Sequence, residues 1–219
     1  MVRMNRVALV AFCSLALAAA PSLAAHSHSG DLPSFRGDWH PVVGAGAVYQ
    51  VEGRGQPAMS WEIAVVGKEQ GAYWIENRMA VPEESIMKML VSPGAPPKRM
   101  IVKAAGQPAM ELPVLQAQGL PETNLKQTAK LVGKEQVSTP AGSFACDHYQ
   151  MSERGGTTDV WVTAAVSPYG LVKMTSRDTT VTLAKVVKGA KTRITETPQK
   201  MDIPQMPGLG DLMGGRDRQ

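Results

Sequence analysis

Two histidines, His26 and His28, stand where a processed chain would begin. Cleavage after Ala25 would leave a free amine, two backbone amides and the imidazole of His28, a planar set of four nitrogens that suits Cu(II) or Ni(II). Cleavage after Ala24 places the first histidine at position two and gives a different chelate. Both geometries stay open, beside the simpler alternative that this polar start has no physiological metal.

A second pair with chemical potential is Cys146 and His148, which stand two residues apart on a predicted strand. Residues at this spacing share one face of a regular strand, and Asp147 points to the other face. A thiolate beside an imidazole can serve as a nucleophile or as part of a metal site. No third ligand or orienting acid is identifiable, so we favour a buried structural cysteine.

Methionine is abundant, with 13 residues in the chain. Its flexible, polarizable side chain suits adaptable apolar surfaces, although it also fills ordinary cores. Alternation along two predicted strands places four side chains on the wall of a cavity, if one exists. These candidate ligand-binding residues are Trp61, Ile63, Met87 and Met89.

Common catalytic patterns are missing from the sequence. It contains no G-x-S-x-G, no phosphate-binding glycine-rich loop between a strand and a helix, and no H-E-x-x-H. Glu83 and Glu84 are adjacent in a predicted loop, which indicates a solvated turn rather than a catalytic carboxylate pair. We therefore expect a protein that is not an enzyme, with no catalytic residues and no cofactor.

The first 25 residues have the pattern of a secretory signal peptide. Arg3 and Arg6 precede an uncharged apolar run from Val7 to Ala20, and small residues follow Pro21. A membrane-spanning helix needs about 20 apolar residues, and this run is shorter. We predict export to the periplasm with cleavage near Ala24 or Ala25, and no transmembrane segment in the mature chain.

Charge gives no indication of a nucleic-acid partner. The chain has 23 Lys and Arg against 19 Asp and Glu. Without Arg3 and Arg6 of the signal the basic total falls from 23 to 21, so the mature excess is only two. No dense basic cluster is interleaved with aromatic residues, and nucleic-acid binding is not expected.

After the signal, we expect a flexible polar lead-in over residues 26–44, one β-rich domain over 45–203 and a disordered Gly- and Pro-rich tail over 204–219. Alternating apolar residues predict about ten short antiparallel strands. One short helix is predicted over 121–131. The predicted strands are 48–52, 59–65, 72–79, 86–91, 99–103, 133–138, 144–151, 158–163, 171–176 and 181–187.

Turn residues separate many of the predicted strands. Gly67-Lys68 is expected to close the hairpin between 59–65 and 72–79. Similar signals occur at Ser92-Pro93-Gly94, Pro140-Ala141-Gly142 and Ser167-Pro168-Tyr169-Gly170.

The region from about Val48 to Ile194 resembles a group of uncharacterised bacterial exported proteins. The residues that carry this resemblance are Met87–Ser92, Ser138–Cys146, Asp159–Val162 and Pro168–Lys173. The order of these pieces is similar to the LolA/LolB-like fold of lipoprotein-sorting proteins. That resemblance implies a mainly β protein with a curved antiparallel sheet, a half-barrel around an apolar cavity, and one or two short helices. No functional residue of the lipoprotein carriers can be carried over.

These observations predict a non-enzymatic periplasmic protein that binds a lipid or acyl chain on the concave face of a curved sheet. The first alternative is an envelope interaction or sensor module with a packed sheet and a protein partner. The second is copper or nickel binding through His26 and His28. An open apolar cavity would favour the carrier, and a filled sheet would favour the interaction module.

Overall fold

The structure is a computed structural model, which describes residues 35–36, 39–80, 83–114, 123–124, 129–153 and 156–201. The predicted signal peptide and the predicted tail lie outside these residues. Within the described part of the chain, no helix has the length and apolar character needed to cross a bilayer.

Fourteen strands form in the described residues, and twelve of them make one large curved sheet. The strands are β1 (Phe35–Arg36), β2 (Ala45–Gly53), β3 (Met59–Glu69), β4 (Ala72–Met79), β5 (Ser85–Val91), β6 (Arg99–Ala104), β7 (Met110–Leu112), β8 (Thr123–Asn124), β9 (Lys130–Thr139), β10 (Gly142–Glu153), β11 (Gly156–Val162), β12 (Leu171–Thr175), β13 (Thr179–Lys188) and β14 (Gln199–Lys200).

The order of strands in the large sheet is β14-β7-β6-β5-β4-β3-β2-β13-β12-β11-β10-β9. The chain therefore starts in the middle of the sheet with β2, runs outward to β7, and returns from the opposite edge at β9 to β13. All neighbouring pairs in this sheet are antiparallel except β14 with β7. Each of the ten predicted strands overlaps an observed one, and the predicted mainly β, curved antiparallel fold is confirmed.

The short helix predicted over 121–131 is wrong at the positions that the structure describes. Thr123 and Asn124 form β8, which pairs in parallel with β1, and Lys130 and Leu131 begin β9. Backbone pairing of β8 with β1, and of β9 with β10, overrides the helical pattern at these positions. Residues 121–122 and 125–128 lie outside the described part of the chain.

The hairpin between β3 and β4 turns three residues later than the sequence suggests. Gly67 and Lys68 belong to β3, next to a register shift between Val65 and Gly67. The turn itself is Gln70-Gly71, where φ is 46° and 80°. Two central residues with positive φ match the right-handed twist of a hairpin, and glycine adopts this conformation at little cost.

Alternation gives the sheet two different faces. We call one of them the apolar face. On this face, three cross-strand pairs lie opposite each other: Ala47 and Ile63, Tyr49 and Trp61, and Ile75 and Met89. Its buried side chains extend across the sheet from β6 to β11. They include Ala47, Tyr49, Val51, Trp61, Ile63, Val65, Ile75, Met89, Met100, Val160, Met174, Val181 and Leu183.

The opposite side of β3 to β7 is the strap face, because the C-terminal segment 189–201 crosses it. We call this segment the strap. Ile194 of the strap packs into a buried cluster on this face, and β14 at its end pairs with β7. The other members of the cluster are Ala72, Trp74, Ile86, Leu90, Ile101 and Ala109. The strap therefore buries apolar side chains on the second face of the sheet in this region.

Candidate functional site

All four residues predicted for the ligand wall lie on the apolar face. Trp61 and Ile63 are two residues apart on β3, and Met87 and Met89 are two apart on β5. The intervening strand connects them, since Asn77 of β4 lies opposite both Ile63 and Met87. The predicted side chains therefore share one surface, although their role in binding stays a prediction.

Burial differs among these four residues. Trp61, Ile63 and Met89 are buried, at 7%, 3% and 6% exposure, whereas Met87 is half-buried. The indole nitrogen of Trp61 donates to Asn77 Oδ1 over 3.3 Å, which fixes the ring and satisfies its polar group. Met87 is thus the most accessible member of the set.

Tyr49 supports Trp61 from the adjacent strand. Their ring centroids are 5.0 Å apart, and the Tyr49 hydroxyl donates to the Leu171 carbonyl over 2.9 Å. Burial raises the pKa of Tyr49 far above its ordinary value, so its hydroxyl stays neutral. Its protonated hydroxyl ties β2 to β12 and leaves the ring as an apolar support.

Half-buried apolar residues continue the wall toward β7. Met87 lies opposite Val102 of β6, which lies opposite Met110 of β7. All three side chains are half-buried. This arrangement offers a contiguous apolar strip, with chemistry suited to reversible contact rather than to bond making.

Cys146 and His148 share one face of β10, as their spacing predicts, but their side chains contact different groups. Cys146 is 3% exposed, and its sulfur lies 3.5 Å from the carbonyl oxygen of Phe144. Burial is the main cause that raises the pKa of this thiol to about 11. At neutral pH the thiol is protonated and a poor nucleophile, which agrees with the structural interpretation.

His148 is held by two carboxylates that sequence reasoning did not find. Its Nδ1 lies 2.8 Å from Glu135 Oε1 on β9, and its Nε2 lies 2.8 Å from Asp159 Oδ1 on β11. The ring stacks on Trp161 with centroids 4.5 Å apart, and Trp161 Nε1 donates to Glu135 Oε2 over 2.9 Å. Because both imidazole nitrogens are engaged, this cluster joins three strands and leaves neither nitrogen directed at Cys146.

These contacts also affect Glu135. The hydrogen bond from Trp161, followed by that from His148, holds the pKa of Glu135 below its ordinary value. Glu135 is 13 positions from His148 in the sequence, and Asp159 is 11 positions from it. Only the register of β9, β10 and β11 brings them together, so no local sequence signal could reveal them.

The predicted metal ligands His26 and His28 lie outside the described residues. Among the residues that are described, no group of three or more His, Cys, Asp or Glu side chains is arranged to hold a metal ion. The cluster around His148 instead consists of direct hydrogen bonds between its members.

No protein-family model matches the sequence, and no curated protein matches it. Among solved structures, MucB in complex with MucA(peri) is 15% identical with a TM-score of 0.36, covering 70% of this chain and 53% of that one. This chain thus spans about half the length of the MucB chain.

Two further solved structures are similar to this chain, with identities and TM-scores in the same low range. A protein described as exported, with a YmcC-like fold, from Bacteroides fragilis is 10% identical with a TM-score of 0.34; the match covers 70% of this chain and 100% of that one. A protein described as a lipoprotein from Parabacteroides distasonis is 11% identical with a TM-score of 0.33, covering 69% and 98% of the two chains. These likenesses are distant and assign no family to this chain.

Proposed function

We propose that this chain is a non-enzymatic periplasmic protein that holds a lipid or acyl chain on the apolar face of its sheet. The observation that carries the proposal is the half-buried strip of Met87, Val102 and Met110 beside the buried wall. Export follows from the signal-like sequence of residues 1–25. Binding requires no covalent step, because the strip presents thioether and hydrocarbon groups.

The driving force is the removal of apolar surface from water. Each Å² of apolar surface removed is worth about 25 cal/mol, so burying about 200 Å² of ligand supplies about 5 kcal/mol before the cost of association. Methionine side chains adapt to chains of different shape. The ligand class is therefore defined by apolar length rather than by one polar group.

The experiment introduces a charge at the accessible member of the wall, in the variant Met87→Asp. Wild-type protein, purified without detergent, is expected to carry extractable lipid in native mass spectrometry and to bind cis-parinaric acid with saturable fluorescence. Met87→Asp is expected to lose both signals, because a carboxylate in the strip must be desolvated when the ligand binds. Met87→Leu is expected to keep them.

The matched control places an aspartate at Ser138, an exposed position on β9. Circular dichroism and urea unfolding establish that each variant is folded. Unchanged parinaric acid binding by folded Met87→Asp would refute the proposed wall. So would a wild-type protein that carries no lipid and binds none.

A second candidate function is an interaction module that binds an envelope protein. It is favoured by Leu131 and Val132, which are 54% and 51% exposed on β9, the last strand of the sheet order. A terminal strand with exposed apolar side chains can receive a strand from another protein. A bare native mass that stays unchanged after incubation with lipid would favour this function.

A further inference from the structure

A cavity of about 300 Å³ lies on the strap face, between β3, β4, the end of β13 and the strap. Strand alternation separates it from the proposed lipid wall, since Ala64 lines the cavity while its neighbours Ile63 and Val65 lie on the apolar face. Its lining combines apolar side chains, among them Ala64, Val66 and Val187, with charged side chains of both signs.

Small residues create this space. Gly46 of β2 lies between Ala64 and Val187, opposite each of them in the sheet. A Cβ atom added at Gly46 would come within 2.5 Å of the Ile63 carbonyl oxygen, so no side chain can project from this position. The sheet surface next to the cavity therefore has no side chain at Gly46, between the lining residues Ala64 and Val187.

Charge around the cavity is predominantly positive. Its lining carries four cations, Arg78, Lys188, Lys191 and Arg193, against the carboxylates of Glu62 and Glu76, which leaves a net charge of +2. Lys188 and Lys191 are exposed at its rim. An anion that enters the cavity thus meets an excess of positive charge.

The two carboxylates are already engaged by groups of the protein. Glu62 Oε2 lies 3.2 Å from Arg78 Nη1 and 3.5 Å from Arg193 Nη2. Glu76, at 5% exposure, accepts hydrogen bonds from the Arg193 backbone and from the Thr192 hydroxyl. The Glu62 contacts hold both guanidinium groups at the cavity, and Arg78 Nε donates in addition to Glu84 Oε1 over 2.7 Å. The guanidinium N–H donors that these carboxylates do not use match the oxygens of an oxyanion.

We propose that this cavity binds a phosphomonoester group. Such a group carries a charge of about −1.5 to −2 at neutral pH, which complements the +2 lining, and it offers three acceptor oxygens. Arg78 and Arg193 contact these oxygens, and Lys188 and Lys191 supply the surplus charge. Ala64, Val66 and Val187 accommodate the short carbon stub that bears the phosphate.

The test is isothermal titration calorimetry of the folded, full-length protein with glycerol phosphate at fixed ionic strength. Wild type is expected to bind one equivalent saturably. The double variant Lys188→Ala/Lys191→Ala is expected to bind at least about tenfold more weakly, a change of about 1.4 kcal/mol, because it removes the surplus positive charge of the lining. Ala190→Leu, which fills the cavity without changing its charge, is also expected to weaken binding.

The matched control is Lys98→Ala/Lys130→Ala, which removes two exposed lysines outside the lining. It is expected to leave the affinity within about twofold, a change of about 0.4 kcal/mol. Equal weakening by both lysine pairs would show diffuse attraction and overturn the site. A lack of saturable binding, or unchanged binding by folded Ala190→Leu, would overturn it as well.

Dihexanoyl phosphatidic acid, which presents the same phosphomonoester on a lipid, distinguishes two sources of the ligand. Tighter binding than glycerol phosphate with the same dependence on Lys188 and Lys191 assigns the site to a lipid headgroup. Equal or weaker binding with that dependence assigns it to a free phosphomonoester. Met87→Asp, which changes the opposite face, is expected to keep glycerol phosphate binding, so failure of the lipid wall and failure of this site are distinguishable.

Discussion

The backbone N–H of Arg193 donates to both carboxylate oxygens of Glu76, over 3.1 Å to Oε1 and 3.2 Å to Oε2. Glu76 Oε2 also accepts the Thr192 hydroxyl over 2.7 Å, and the oxygen of that hydroxyl accepts Lys88 Nζ over 3.1 Å. A strand residue in the middle of the sheet thereby fixes the strap 117 residues later. These donors satisfy both oxygens of a carboxylate that is buried in the protein.

Glu76→Ala is expected to destabilise the protein by about 2 to 3 kcal/mol in urea unfolding, because it leaves the Thr192 hydroxyl and the Arg193 backbone N–H without their carboxylate acceptor. The strap should then detach more often and be cleaved faster by trypsin after Lys191 and Arg193. Glu52→Ala, at an exposed position on β2, is the control and should cost no more than about 0.5 kcal/mol. Equal losses in the two variants would show that Glu76 does not anchor the strap.

Stability at acid pH should depend on Glu111 of β7. Arg99 Nε and Nη2 donate to its two oxygens over 2.7 Å and 3.2 Å, and this hydrogen bonding lowers the pKa of Glu111 from its ordinary value. The unfolded carboxyl titrates near pH 4.3. The stabilisation is therefore present above that pH and is lost as the pH falls through the lower folded value.

Glu111→Gln should therefore lose about 0.5 to 1 kcal/mol at neutral pH, the range for a partly exposed pair, and little at about pH 3. Urea unfolding at the two pH values measures the difference, with Glu52→Gln as the control. If Glu111→Gln and wild type differ equally at both pH values, the ion pair does not supply the acid dependence.

His148→Ala is expected to loosen β9, because the imidazole links Glu135 of β9 to Asp159 of β11. Amide hydrogen exchange of β9 should accelerate by about tenfold, which corresponds to about 1.4 kcal/mol, while exchange in β3 and β4 stays unchanged. Gln150→Ala removes only a 3.2 Å bond to Asp159 and serves as the control. Uniform acceleration in all strands would indicate global destabilisation instead.

Alternation in the sequence was sufficient to predict the strands that form the body of the sheet, as in 72–79, which the structure reproduces as β4. The strap gave no such signal, since Ile194 is buried among neighbours that follow no regular apolar period. The turn at Gln70-Gly71 was misplaced because Gly67 is also a turn residue by type. Its position in β3 depends on pairing with Trp74, which local sequence does not encode.

The candidate sites show the same division. Placing Trp61 and Met87 on one face required only strand alternation and a shared sheet. The acids around His148 and the cations around the strap-face cavity come from separate strands and from the strap. Glu76 in particular has the sequence pattern of a polar residue on a solvated strand face, and its burial depends on a segment that follows it by more than 100 residues.

The position of the strap at the end of the described chain has a consequence for biosynthesis. At a synthesis rate of 5–20 residues per second, Arg193 follows Glu76 by roughly 6 to 23 s, given their separation of 117 residues. During that interval the hairpins of β4, β5 and β6 can form, but Trp74, Leu90 and Ile101 still lack their cover. A nascent chain of this protein therefore exposes these apolar side chains to self-association until residues 189–201 cover them.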